Sequence, residues 1–218
     1  MKLTKRILLI IALTLTFASC SSYMGVGKVK DDRYYTKDFN ISVPKQGFNM
    51  QTYATKISDL QYFVTFYNDL GCELTYDILI MPKDLVDLLT GLNKEQLAAS
   101  YKLNFERCTY APILRKFPEA KILSEELVEM GDMGYGYFVF IEVPEGATYI
   151  DANTGKPSDG IRGYLVSYYK DQFIVISSQV SSIAELMGGK GTAKSDGCKR
   201  GMIEKLIKAR LDYQYTAT

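Results

Sequence analysis

The chain has no histidine and no tryptophan. Without histidine there is no Ser-His-Asp or Cys-His catalysis, no His-ligated metal and no imidazole pH switch. Neither sign of charge dominates: 26 basic side chains face 25 acidic ones, for a net +1. A near-neutral chain offers no basic face to displace nucleic-acid counterions, so no nucleic-acid partner is expected. No apolar run reaches the ~20 residues that a membrane-spanning helix needs. What remains is ordinary for a folded protein, with 47% hydrophobic and 23% charged residues. A length of 218 residues suits one domain, or two small ones, with a sizeable core.

The first nineteen residues form an address. Lys2, Lys5 and Arg6 make a positive start, and Ile7 to Ala18 make a twelve-residue apolar stretch, as in a secretory signal. The junction Phe17-Ala18-Ser19-Cys20 resembles the bacterial lipobox, although Phe17 stands where that motif usually has Leu. The resemblance implies that the Cys20 thiol carries a diacylglyceryl group and that cleavage occurs just before it. Its usual further acylation would give two or three chains, each buried methylene contributing ~0.8 kcal/mol, which is enough for stable membrane retention. The expected location is therefore the bacterial cell envelope, outside the cytoplasm. Ser21 after the cysteine favours the outer membrane if the source is Gram-negative. Removing the signal leaves 23 basic against 25 acidic residues.

Residues 20–33 read as a lipidated flexible tether, whose thirteen residues after Cys20 reach ~45 Å extended and average ~20 Å as a coil. Residues 34–218 then form one domain. Cys72, Cys108 and Cys198 are an odd trio in an oxidising compartment, so at most one internal disulfide forms, and the sequence leaves its partners open.

Alternation and turn signals give the element order. Phe39 to Val43, a turn at Lys45-Gln46-Gly47 and Phe48 to Tyr53 suggest an opening hairpin. Tyr62, Val64 and Phe66 alternate, and Leu74, Tyr76, Ile78 and Ile80 share one strand face. Pro82 begins a short helix with Leu85, Val86, Leu88 and Leu89, ended by Gly91. Asn93 and Gln96 form a capping box for a helix striped by Leu97, Tyr101 and Phe105. Pro112 predicts a break near Thr109 to Ala111. Strands follow over 120–130, Tyr135 to Val143, Tyr164 to Tyr169 and Phe173 to Val180, with loops at 144–160 and 181–197. Tyr135 to Val143 is apolar on both sides, as in a strand covered on both faces. A closing helix spans Cys198 to Tyr213, with Met202, Ile203, Leu206, Ile207 and Leu211 on one side and Lys199, Arg200, Lys205, Lys208 and Arg210 opposite. That basic face suits either solvent or anionic lipid near the anchor.

This order, with its FNISVP first strand, resembles the fold shared by photosystem PsbP proteins and the Ran-binding Mog proteins. The resemblance implies an α+β sandwich, a mostly antiparallel sheet covered by helices on both faces, serving assembly or binding. It transfers no functional residue, and fold analogy alone does not establish function.

Motifs for chemistry are weak. Ser42-Val43-Pro44-Lys45 matches SxxK, but on a strand and without its partner motifs. Gly188-Gly189-Lys190-Gly191-Thr192 lacks phosphate-loop spacing. Asp151, Asn153 and Asp159 lack the Gly and closing Glu of a calcium loop, and no other metal or cofactor site is expected. Glu125, Glu126, Glu129 and Asp132 form an acidic run that suits a solvated face. The leading expectation is a lipid-anchored, non-catalytic module that binds an envelope protein, with no catalytic residue assigned. The alternatives are an envelope hydrolase using Glu125, Glu126 or Glu142, and a lipid or small-ligand carrier whose cavity uses some of the seventeen tyrosines and ten phenylalanines. Intact-mass measurement after non-reducing alkylation tests the cysteine reading. Alkylation at one of the three thiols is expected if an internal disulfide forms, and at all three if none does.

Overall fold

The computed structural model describes residues 26–45, 50–67, 73–144, 160–179 and 196–216. The elements in chain order are β1 (Lys28–Lys30), β2 (Arg33–Tyr35), β3 (Phe39–Ser42), β4 (Gln51–Ser58), β5 (Gln61–Tyr67) and β6 (Glu73–Ile80). Three helices follow, α1 (Lys83–Thr90), α2 (Lys94–Phe105) and α3 (Ala111–Lys116). Then come β7 (Lys121–Glu129), β8 (Tyr135–Val143), β9 (Gly160–Tyr169), β10 (Gln172–Gln179), α4 (Asp196–Asp212) and β11 (Tyr213–Tyr215).

The fold is α+β with two antiparallel sheets where the sequence suggested one. A seven-stranded sheet runs β4-β5-β6-β10-β9-β8-β7, and a four-stranded sheet runs β1-β2-β3-β11. Two meanders, β4 to β6 and β7 to β10, join through the β6–β10 pair, from Ile80↔Gln172 to Leu74↔Ser178. The expected opening hairpin does not form. β3 pairs with β2 and β11 in the small sheet, while β4 pairs only with β5. Pro44 explains the separation, since it supplies no N–H to continue a ladder past Ser42.

Strand alternation sends side chains to two cores. Tyr62, Val64, Phe66, Tyr76, Ile78, Phe138, Phe140 and Leu165 lie in the first, together with Tyr34, Phe39, Ile41, Met202, Leu206 and Tyr213. Tyr137, Val139, Ile141, Tyr164, Val166 and Phe173 lie in the second with Tyr101 and Phe105 of α2. Met202, Leu206 and Ala209 of α4 thus share the first core with the small sheet, and Tyr101 and Phe105 of α2 belong to the second. Seven tyrosines and six phenylalanines are buried among the described residues, so much of the aromatic excess fills these cores and does not line a groove. Two buried hydroxyls find carbonyl acceptors, Tyr76 at Ala209 and Tyr101 at Tyr135, both at 3.0 Å, whereas those of Tyr34 and Ser167 have no hydrogen-bond partner. Burial raises the Tyr34 and Tyr101 phenols to about 12.

Three local expectations change. The capping box at Asn93 and Gln96 forms as read, but the chain does not break at Pro112. Helix continues from α2 through a π segment, Glu106–Tyr110, into α3, with Pro112 in the first turn. Ala111 N–H bonds the Glu106 carbonyl five residues back, and this wider turn makes room for a proline ring without an exit from the helix. In α4 the buried stripe is Met202, Leu206 and Ala209, while Leu211 is 61% exposed. The next buried position is Arg210, expected on the wet face and in fact 2% exposed. Its guanidinium carbon stacks 4.2 Å from the Tyr169 ring, its Nε and Nη2 have no hydrogen-bond partner, and burial lowers its pKa. The tether is also shorter than expected, because β1 and β2 pair across residues 28–35. The signal segment, Cys20 and the loop centres at 145–159 and 180–195 lie outside the described residues.

Leu206 is fully buried where α4 meets the first core. Leu206→Ala is expected to lower unfolding stability by about 3 kcal/mol, read as a lower urea midpoint with an unchanged slope.

Candidate functional site

A cavity of about 470 Å³ opens between the small sheet, the start of β6 and α4. One wall is the β1–β2 turn, where Asp31 and Asp32 take φ values of 49° and 57°. A two-residue hairpin turn needs positive φ at both positions, and Asp tolerates it better than most side chains do. Ser42, Val43, Pro44 and Lys45 continue this wall as the chain leaves β3. Lys205, Lys208, Ala209 and Asp212 of α4 form the opposite wall, and Met50, Glu73 and Leu74 complete the lining.

Arg33 organises the site. Its Nε donates to Asn40 Oδ1 at 2.6 Å, its Nη1 to Ser42 Oγ at 2.6 Å, and its Nη2 to the Asp212 carbonyl at 3.1 Å. One guanidinium fork therefore ties β2 and β3 to the carbonyl end of α4, where a cation is favoured. Lys45 Nζ lies 3.2 Å from Asp32 Oδ2. Glu73 Oε1 accepts from Arg162 Nη1 at 3.2 Å and from Thr75 Oγ1 at 3.2 Å. Lys205 Nζ donates to Ser178 Oγ at 2.6 Å, and Ser178 Oγ donates to the Glu73 carbonyl at 2.6 Å. Charges of both signs line the cavity, and several hold one another in place.

Ser42 and Lys45, the SxxK pair, do line the same cavity, but Ser42 accepts a proton donor from Arg33 and Lys45 pairs with Asp32. Two features here escaped sequence reasoning, because Asp31 to Arg33 lay in the presumed tether. The signal was present: a charged pair between Lys28-Val29-Lys30 and Arg33-Tyr34-Tyr35 is a two-residue turn between short alternating runs.

The carboxylates proposed for hydrolysis do not converge. Glu125 sits opposite Val139 on the second-core face of β7, whereas Glu126 sits opposite Phe138 on the first-core face. Glu142 shares the Phe138 face, but four residues along the strand, or ~13 Å, beyond the 6.5–9.5 Å of an inverting pair. It is 2.9 Å from Lys121. Hydrogen bonds from Lys102 and Tyr137 hold the Glu125 carboxyl below its ordinary range, the opposite of what a general acid requires.

Of the other sequence candidates, Gly188 to Thr192, Asp151, Asn153, Asp159 and Cys72 lie outside the described residues, as does the side chain of Cys198. Cys108 is exposed and free in the π segment. Among the described residues there is no cluster of three or more metal-ligating side chains, and no helix is long and apolar enough to cross a membrane.

The chain is thus a two-sheet α+β domain with a polar, internally paired cavity. No family model matches it, and no curated protein matches it either. One similar solved structure is the solution structure of cyanobacterial PsbP (CyanoP) from Synechocystis sp. PCC 6803. The identity is 11%, the alignment covers 88% of this chain and 95% of that one, and the TM-score is 0.47. PsbP is one of the two families whose element order the sequence resembles, and at this distance the likeness carries no functional argument.

The Glu125 geometry makes a pH prediction. Its folded pKa is depressed, so its contribution is present above the ordinary carboxylate range near 4.3 and is lost as pH falls through the folded value. Because the side chain is 34% exposed, the contribution is below about 1 kcal/mol. Glu125→Gln should therefore be slightly less stable than the parent at pH 7, with the difference closing toward pH 2–3, as read by urea midpoints across pH.

Proposed function

We propose that the chain is a bacterial cell-envelope lipoprotein, anchored through acyl chains on Cys20. Its domain outside the cytoplasm acts as a non-catalytic binding or assembly module for an envelope protein. The anchor rests on residues 1–20, and outer-membrane residence is the favoured sorting if the source is Gram-negative. The fold belongs to this reading as a PsbP/Mog-like sandwich with helical cover over both faces of the large sheet. The observation that carries the binding role is the cavity beside Arg33, where charged groups are fixed by mutual bonds, Arg33 to Ser42 and Lys45 to Asp32 among them. Preorganised polar groups of this kind confer orientation and specificity on a partner.

A carrier role is the second reading. About 470 Å³ falls within the range of small-ligand sites, and Val43, Pro44, Met50 and Leu74 give the cavity an apolar component. Native mass spectrometry of the purified protein separates the two, since a co-purified small molecule favours the carrier.

The test of the main reading uses the full chain expressed in a bacterial envelope, with a photo-crosslinking residue at Met50. The expected results are a diacylglyceryl mass on Cys20, release from the membrane fraction in Cys20→Ser, and a discrete crosslinked protein adduct that weakens in Arg33→Ala. An unmodified Cys20 would remove the anchor. Reproducible hydrolytic turnover by the purified protein would overturn the non-catalytic role.

A further inference from the structure

We infer that the layer formed by the small sheet and α4 is the side of the anchored protein that lies against an anionic membrane leaflet. The inference rests on the proposed lipidation of Cys20, and three observations fix the side.

The first is where the chain joins the fold. Val26 packs against the first core, on the small-sheet side. Gly27 is pressed against the same sheet, since an added Cβ would lie 2.3 Å from the Tyr35 carbonyl oxygen and 2.6 Å from the Tyr34 ring. Only seven residues separate Cys20 from β1 at Lys28, a reach of at most ~25 Å. An acyl group on Cys20 thus holds β1 within about one domain radius of the bilayer.

The second is charge. Residues 26–45 and 196–216, which build this layer, together carry nine basic side chains besides the buried Arg210, and six acidic ones. The β7–β8 segment, residues 121–143, at one edge of the large sheet, carries one basic and five acidic ones. Asp31 and Asp32 on the basic layer lie 3.9 Å from Lys30 and 3.2 Å from Lys45. Lys28, Arg200 and Lys208 are exposed on the same layer. The net positive charge of this layer thus contrasts with the net negative charge of the β7–β8 segment.

The third is the edge strand. All three residues of β1 are exposed, and Val29, flanked by two lysines, is 54% exposed. A short lysine-bearing edge avoids pairing with another strand, and here the same residues place an apolar side chain and two ammonium groups beside the tether.

Each lysine near an anionic surface contributes about 1 kcal/mol, a factor of about five. A net charge of this size gives weak binding in free solution. Once the anchor makes the contact intramolecular, it needs only to bias orientation.

The test is lysine footprinting by amine acetylation and mass spectrometry. The lipidated full chain is reconstituted in vesicles of phosphatidylcholine alone or with one-third phosphatidylglycerol. Acetylation of Lys28, Lys30 and Lys208 is expected to slow at least threefold in the anionic vesicles, with the slowing lost at high salt. Lys83 and Lys94, on the α1–α3 side, should react equally in both. The paired change Lys28→Glu and Lys30→Glu should restore the Lys208 rate. Equal reactivity on both layers, or protection of Lys83 and Lys94 instead, overturns the orientation while leaving the anchor intact. An intact mass without acyl groups removes the anchor and this orientation with it.

Discussion

Everything in this fold depends on the aromatic seam between its two sheets. Phe39 of the small sheet meets Tyr62 edge-on at 5.2 Å and stacks on Tyr213 at 5.4 Å. Tyr213 in turn stacks near Tyr76 at 6.5 Å, while Tyr34 packs edge-on to Phe66 at 6.4 Å. A four-stranded sheet of three- and four-residue strands has too few ladder bonds to stand alone, so it exists because it buries these rings. Hydroxyls at the seam then set register: Tyr213 donates to Gln172, Tyr62 to Asp38 and Tyr76 to the Ala209 carbonyl. Hydrophobic area supplies the drive, and the phenolic groups specify the alignment.

That seam also creates the cavity. Once β2, β3 and β11 are seated, the end of α4 is carried to the turn at Asp31 and Asp32, and Arg33 bonds Asn40 and Ser42 of β3 and the Asp212 carbonyl of α4. The cavity is the space left where a small sheet and a helix share one face of a larger sheet without meeting along their whole length. Its polar groups come from four separate parts of the chain, and none of them marks a site alone. The same arrangement places the cavity on the layer that carries Lys28, Lys30, Lys45 and Lys208.

Much of the fold was legible in the sequence. The alternation at Leu74, Tyr76 and Ile78, the capping box at Asn93 and the two-sided apolar run at Tyr135 to Val143 are local signals, and each formed where it was read. The errors share a cause. Phe39 to Ser42 was assigned its nearest neighbour in sequence, but its partners are β2 and the C-terminal β11, which lies far along the chain. Arg210 was placed in water by its charge, although helical spacing from Met202, Leu206 and Ala209 brings that side of α4 against Tyr169. Asp31 to Arg33 looked like tether because a three-residue strand carries almost no periodic signal.

By itself the sequence determined the chemical limits: no imidazole anywhere and a near balance of charge. Those are properties of composition, and no folding can alter them. Only the tertiary structure decided that there are two sheets, that Glu125, Glu126 and Glu142 stay apart, and that Arg33 joins a turn to a helix end 179 positions away. Such facts depend on which distant strands pair. That choice follows from the total apolar surface two elements can bury together, a sum over contacts that no single stretch of sequence contains.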